Sequence, residues 1–462
     1  MVLSFGGKPD TRGQVSRRRS AIIPIMTIPS VDESPAEESP AEESAADGSP
    51  ARTAAEERHA TWLELFFDLV IVAAVAQLAH LLHEDVGPRE IFLFAILYYA
   101  MWSVWTSFTL YANVRGERTL QWTVLTAMFG IAVMAASIPQ FAEGGAGYKY
   151  FVLAYIACRF LAVKSWQRAS AVMAEWPAAQ QFVPVIPWVS SLWDGGVGMH
   201  WHYFQWGLGI VLDIAFAVGL SRRPDKMLKD AQKEREQERR RWTRRFANRR
   251  GPQPVVPQLP DMQIVHADRS HLGERLGLFV IIVLGEAVAQ VVNSAAGADW
   301  HWPLALAGFS GFGLLVCIWY LTLQYGASAV PNATTRTYGL PLTLPTHYLM
   351  TASVVVIAAG LGTLAAHPDG ELSTAHRWVL CAGAAVYFLT ASFIGARTGA
   401  PLRWMLGWGV PSVTVTLLLG VFGGPLPGWG VSGVLVLVAV WHILYRRDVR
   451  AARVRAAVPR QG

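Results

Sequence analysis

Charge is scarce in this sequence. Asp, Glu, Lys and Arg make up 16% of the 462 residues, where a soluble domain holds about a quarter. That shortage, with a mean hydropathy of +0.31, argues against an ordinary soluble enzyme. Cysteine is scarcer still. Cys158, Cys317 and Cys381 each sit in an apolar stretch; an odd, widely spaced set excludes a disulfide framework and reads as small buried side chains. A glycine-rich phosphate loop, a Ser-His-Asp order and a HExxH run are all missing, so nothing supports catalysis, and neither enzyme activity nor a cofactor is expected. His80, His83, His200 and His202 lack the spacing of a closed metal site, and no metal is expected. Ala21 to Pro29 is too short and too interrupted by proline for the core of a signal peptide, which leaves the first membrane span as the expected insertion signal.

What the chain does have is long apolar runs and 19 tryptophans, whose indole rings favour the membrane–water interface. From residue 59 onward, stretches of about 20 residues match the thickness of a bilayer core. They lie near 61–82, 91–112, 119–141, 148–170, 173–193, 200–221, 272–294, 302–325, 341–363, 374–396, 402–421 and 428–445. The expected fold is therefore all-α, a polytopic membrane protein of about twelve transmembrane helices in two six-helix halves, 59–221 and 271–445. The fifth stretch is the weakest, holding Pro177, Pro184 and Pro187. The placement of basic residues argues that it crosses. With twelve spans, Arg115, Arg118, Lys164, Arg168, the basic 222–250 block, Arg336, Arg397, Arg403 and the tail of 446–462 share one side. The positive-inside rule makes that side cytoplasmic, together with both termini.

Outside the spans, residues 1–58 repeat an acidic Glu-Ser-Pro-Ala-Glu motif and read as a disordered cytoplasmic tail. The linker at 222–270 is basic and starts as a helix before turning Pro-rich at 252–260. Its 222–250 block suits anionic lipid headgroups, or serves simply as a solvated connection. The formal charge of +6 is thus attributed to the lipid bilayer as partner, and no nucleic acid is expected.

The stretch from Thr61 to His80 carries Glu64 and Asp68 one helical turn apart, on one face. Ionised acids in hydrocarbon need a partner or a polar cavity. The stretch from His271 to Asn293 echoes it with Glu274, Arg275 and Glu286. Ala-Val-Ala-Gln77 recurs as Ala-Val-Ala-Gln290, which suggests a parallel internal repeat, the kind of symmetry that places transporter sites at the repeat interface. Arg159 and Asp213 also fall deep inside spans. Arg159 calls for a carboxylate, and Asp68 or Asp213 of the same half are the candidates. These seven residues are candidates for an ion pair or proton relay, though the same pattern suits a static bridge between helices. Glu64 and Glu274 also suit helix N-termini through the dipole.

Trp62-Leu-Glu-Leu-Phe-Phe-Asp-Leu-Val70 and Gly273-Glu-Arg-Leu-Gly-Leu-Phe-Val-Ile-Ile-Val-Leu-Gly-Glu286 resemble the two strongest motifs of the bacterial low temperature requirement protein A family. Ala136-Ser-Ile-Pro139, Tyr155 to Arg159 and His347 are weaker matches, and the resemblance covers roughly 58–445. Ala112 to Arg118 and Trp319 to Tyr325 depart from the family pattern. The resemblance implies a multi-pass protein of the bacterial plasma membrane, associated with growth in the cold. It brings no defined activity with it. The leading expectation is a secondary transporter or an ion pathway for a small ion or proton. Asp68 and Glu286 would be its coupling acids, Arg159 their charge partner, and Glu64 with Glu274 its cytoplasmic mouth. The alternative is a protein that senses or adapts to bilayer state without carrying flux.

Overall fold

The computed structural model describes residues 60–83, 86–142, 147–193, 198–221, 223–247, 261–323, 339–368, 370–397, 400 and 402–457. The acidic tail and the Pro-rich part of the linker lie outside them.

Helices dominate. The first half contains α1 (Trp62–His80), α2 (Pro88–Arg115), α3 (Gln121–Ala142), α4 (Tyr148–Ala169), a short α5 (Ile186–Ser190) and α6 (Met199–Leu220). The linker starts with α7 (Pro224–Ala247), the helix expected there. The second half contains α8 (Arg269–Ala296), α9 (Trp302–Leu323), α10 (Leu340–Ala366), α11 (Thr374–Arg397), the single turn α12 (Leu402–Trp404), α13 (Val410–Phe422) and α14 (Gly428–Ala457). Ten helical stretches among the described residues are long and apolar enough to cross a membrane. α4 falls outside that set because Lys149, Arg159, Lys164 and Arg168 dilute it, although 22 residues give it a length of about 33 Å.

The fifth stretch is the correction. Residues 173–193 do not form a spanning helix. The chain passes instead through a strand β1 (Ala171–Met173), two short 3₁₀ turns (Pro177–Gln180 and Val183–Val185) and α5. Pro177, Pro184 and Pro187 withdraw amide donors and clash with a preceding helical turn, so no continuous helix can form. The segment nevertheless runs the length of α4. At the C-terminal end of α4, β1 pairs in parallel with β2 (Gln263–Val265). Half-way along, the Ala178 and Gln181 carbonyls accept bonds from Arg159. At the far end, Tyr148, the first residue of α4, donates from its hydroxyl to the Ser191 carbonyl at 3.3 Å. Backbone of this kind is tolerated at membrane depth only where protein surrounds it, and Ala171 to Ala174 and Trp176 to Ala179 are nearly all buried.

The two halves share a packing order. α1 packs on α3 and α3 on α4; α8 packs on α10 and α10 on α11. α2 contacts α6, as α9 contacts α14. The element opposite the broken segment is also irregular, with one turn of π-helix (Met405–Gly409) between α12 and α13. α1 contacts α8 directly, which brings the two motif-bearing helices together. α2 is the most completely buried of the spanning candidates and stands between the clusters described next. Cys158, Cys317 and Cys381 are buried free thiols.

Candidate functional site

Thr61 stops the backbone short of α1 in an extended conformation and caps the helix. Its hydroxyl accepts from the Glu64 amide at 3.3 Å, while Glu64 Oε2 accepts from the Thr61 amide at 2.8 Å, a capping box. Glu64 therefore has the mundane role open to an acid in a first turn. It also has another. Its Oε1 lies 3.3 Å from a guanidinium nitrogen of Arg275 on α8. One turn further along α1, Asp68 receives a two-pronged bond from the same guanidinium, Nη2 to Oδ1 at 2.6 Å and Nε to Oδ2 at 3.1 Å. Trp105 of α2 donates its indole N–H to Asp68 Oδ1 at 2.7 Å. Arg275 and Asp68 are both fully buried. A planar fork that serves two carboxylates suits arginine and not lysine.

His271 completes the cluster, its Nε2 lying 3.5 Å from Glu64 Oε2. Its protonation is dictated by Asn113 at the end of α2. The Asp268 backbone N–H donates to Asn113 Oδ1 at 2.9 Å, so the other half of that amide is the NH₂. That NH₂ faces the Asp268 carbonyl and, at 3.0 Å, His271 Nδ1. Nδ1 is therefore the acceptor, and the imidazole is neutral with its proton on Nε2, the nitrogen nearer Glu64. Asp268 meanwhile caps α8, its carboxylate accepting from the Ser270 and His271 amides. Two carboxylates thus converge on one guanidinium, with a neutral imidazole beside them.

A second cluster lies between α4 and α6. Arg159 Nη2 donates at 2.8 Å to Asp213 Oδ1, at 2.8 Å to the Ala178 carbonyl and at 3.1 Å to the Gln181 carbonyl. Nη1 reaches Ser107 Oγ at 3.3 Å, and the Tyr99 hydroxyl donates to Asp213 Oδ2 at 3.1 Å. All the charged members are buried. Here the charges cancel, one against one.

Of the two partners expected for Arg159, the structure selects Asp213. Asp68 belongs to Arg275, so Arg159 is not the counter-charge of the proposed coupling acids. Glu286 joins neither cluster. It is half-buried, takes a bond from Gln290 of its own helix at 2.8 Å, and sits eleven residues, about 16 Å, along α8 from Arg275. Glu274 is exposed; Arg275, its neighbour, points the other way. Sequence reasoning passed over His271, Asn113 and Trp105. The signal for His271 was present, since four residues separate it from Arg275 on one helical face.

His347, in α10, links the clusters. Its Nδ1 accepts from the Trp102 indole at 3.3 Å and its Nε2 donates to the Leu276 carbonyl at 3.2 Å, fixing this imidazole too as neutral. Its ring stacks on Trp105 at 5.9 Å, while Trp102 packs on Tyr99 at 6.0 Å. Tyr99, Trp102 and Trp105, three residues apart along α2, thus run from Asp213 to Asp68.

A sequence profile for the bacterial low temperature requirement A protein (LtrA) matches residues 59–444. The chain belongs to the LtrA family. The match spans α1 through α14 to Leu444 and contains every residue of both ionic clusters. A protein of Rhizobium meliloti (strain 1021), described as uncharacterized, is 24% identical over 428 residues, which cover 86% of this LtrA-family chain and 91% of the relative. Family membership and a multi-pass helical membrane architecture therefore stand together.

Proposed function

We propose that this LtrA-family protein is a secondary transporter or ion pathway. Its coupling group would be the α1–α8 cluster of Glu64, Asp68, His271 and Arg275. The observation that carries the reading is the convergence of two buried carboxylates on one guanidinium where α1 meets α8. Two carboxylates that share one guanidinium compete for it, and a proton or cation serves either in its place, so in this reading the cluster takes one up and releases it when the helices part. It joins the motif helix of each half, and the shared packing order supports an internal parallel repeat with its site at the interface. Glu64 is the exchanging acid in this reading, because Asp68 is held by both the guanidinium fork and Trp105. Arg159 with Asp213 is a brace, not a coupling pair.

The topology that goes with this has twelve crossings, the fifth being the broken 171–191 segment, with the linker and both termini on the cytoplasmic face of a bacterial plasma membrane. The passage of that segment from one end of α4 to the other supports it, and so does the charge bias of the loops. No enzymatic step and no cofactor enters the proposal.

Reconstitution into liposomes tests it. A proton or monovalent cation gradient should drive flux in the native chain, and Glu64→Gln should abolish it, while Glu286→Gln, outside the cluster, should leave it intact. Equal flux in the native chain and Glu64→Gln would remove the cluster from the mechanism. The second reading, a non-transporting protein responsive to bilayer state, is favoured by the packing of α7 against the end of α4, where Arg235 donates to the Gln167 carbonyl and to Ser170 Oγ at 3.1 and 2.8 Å. Silence in every flux assay, with loss of cold-growth complementation when 222–250 is scrambled, would select it.

A further inference from the structure

Where α7 crosses the ends of α4, α6 and the broken segment, it roofs a half-open cavity of about 420 Å³. That volume lies within the range of small-ligand sites. Its wall is apolar and largely aromatic, with Trp166, Phe182, Phe216 and Leu220. Two donors among its lining residues are unanswered. Trp166 of α4 is 1% exposed, and its indole N–H has no hydrogen-bond partner. Gln180 of the broken segment also lines the cavity, and its side-chain NH₂ is buried without a partner. Leaving a buried donor unpaired is costly, so two of them on one cavity call for an acceptor. An indole can only donate, so the demand stands whichever way the Gln180 carboxamide is turned. The neighbouring carboxamide of Gln167 is already engaged, its Oε1 accepting from Lys164 at 3.0 Å.

Charge limits what kind of acceptor can come. Among the described residues the lining holds no Lys or Arg, and its two carboxylates, Asp230 and Glu234 on α7, are exposed. A phosphate or carboxylate set against the two donors finds no counter-charge on the lining and two like charges. A neutral carbonyl oxygen escapes that cost. The body attached to it must be apolar to cover the aromatic wall, and the wall opens toward lipid. Val183 lines the cavity and is 44% exposed, while Phe160, 53% exposed, packs on Phe182 with ring centroids 6.2 Å apart. We infer that this cavity takes the carbonyl end of an uncharged lipid, with Trp166 and Gln180 as its donors. Two lipid classes carry that chemistry. One is an isoprenoid quinone, whose flat ring suits the walls of Trp166, Phe182 and Phe216; the other is an acylglycerol, whose ester carbonyl accepts in the same way. Gln180 stands between Ala178 and Gln181, whose carbonyls Arg159 holds, so a bound carbonyl ties the broken segment to α4 at a second point. The inference holds whether or not the chain carries flux.

The test uses the full chain in detergent, offered decylubiquinone, monoolein and oleate separately at equal concentration, with retained ligand counted by native mass spectrometry. The native protein should retain at least one of the two uncharged lipids, and more of it than of oleate. Retention of decylubiquinone alone assigns the site to a quinone, and retention of monoolein alone to an acylglycerol. Trp166→Phe, which keeps a ring and removes the N–H, and Gln180→Leu should each weaken binding of the retained lipid about fivefold, the worth of one neutral hydrogen bond. If Trp166→Phe does not fold, Gln180→Leu, at a half-buried position, decides alone. Asp230→Asn with Glu234→Gln, two exposed changes, should raise oleate toward the uncharged lipid; no gain there would overturn the restriction to uncharged lipids. Retention of neither uncharged lipid by the native protein, oleate held as tightly as the better of them, or unchanged binding in the folded donor variants would each overturn the inference.

Discussion

The two ionic clusters are built from the same materials and differ in one number. Around Arg159 there is one carboxylate for one guanidinium, and the same guanidinium also donates to the Ala178 and Gln181 carbonyls of the broken segment and to Ser107. Around Arg275 the guanidinium meets two carboxylates, those of Asp68 and Glu64. The first arrangement holds an irregular chain segment in place. The second shares one guanidinium between two carboxylates. Burial and ion pairing are common to both clusters; the number of carboxylates on each guanidinium is what separates them.

The largest expected effect is on the α1–α8 cluster. Arg275→Met strands two buried carboxylates, and removal of a single partner from a buried pair already costs about 3–5 kcal/mol. Little folded protein should survive purification, as read by gel filtration and thermal unfolding. Arg159→Met should cost about as much as a single broken pair, again 3–5 kcal/mol, but adding Asp213→Leu should recover part of the loss because the orphaned charge goes with it. No recovery in the double variant would mean that the bonds lost to the Ala178 and Gln181 carbonyls, and not Asp213, dominate the cost. Glu64→Gln should change stability by about 1 kcal/mol or less, because glutamine can also close a capping box, and one of the two carboxylates that share Arg275 is gone. A large loss there would make Glu64 a structural acid and erase the contrast between the clusters.

The smallest effect concerns the opposite end of the bundle. His83 follows α1, outside the span, and its Nδ1 lies 3.2 Å from Thr363 Oγ1 of the second half. Burial, and then the neighbouring His80, hold its imidazole below the usual range. A group whose native value is depressed contributes stability above its unfolded value, about 6.5, and loses it as pH falls from there through the native value. The melting temperature should therefore decline modestly on acidification below about pH 6.5, and His83→Gln should flatten that slope. A steeper slope in the variant would reverse the assignment.

Much of this was legible before any coordinates. Apolar runs located the spanning helices, spacing put Glu64 and Asp68 on one face, and depth required a carboxylate for Arg159. The partner of Asp68 was not legible, because adjacent Glu274 and Arg275 point in different directions and only packing says which one turns inward. Nor was the tautomer of His271, which an asparagine amide fixes across two helices. Three prolines did announce the failure of the fifth helix. Their sequence could not show that the segment would still run the length of α4, since its carbonyl partner belongs to a different element.

Under the twelve-crossing topology, the broken segment has a consequence for biogenesis. A stretch that cannot satisfy its own amides and carbonyls has no reason to leave the translocation channel for lipid by itself. It must be released together with α4, whose guanidinium donates to its carbonyls, and that pair stays electrically incomplete until α6 delivers Asp213. The third of these three elements to be synthesised is thus the one that makes the other two stable in oil, and insertion of this part of the chain proceeds as one unit of three.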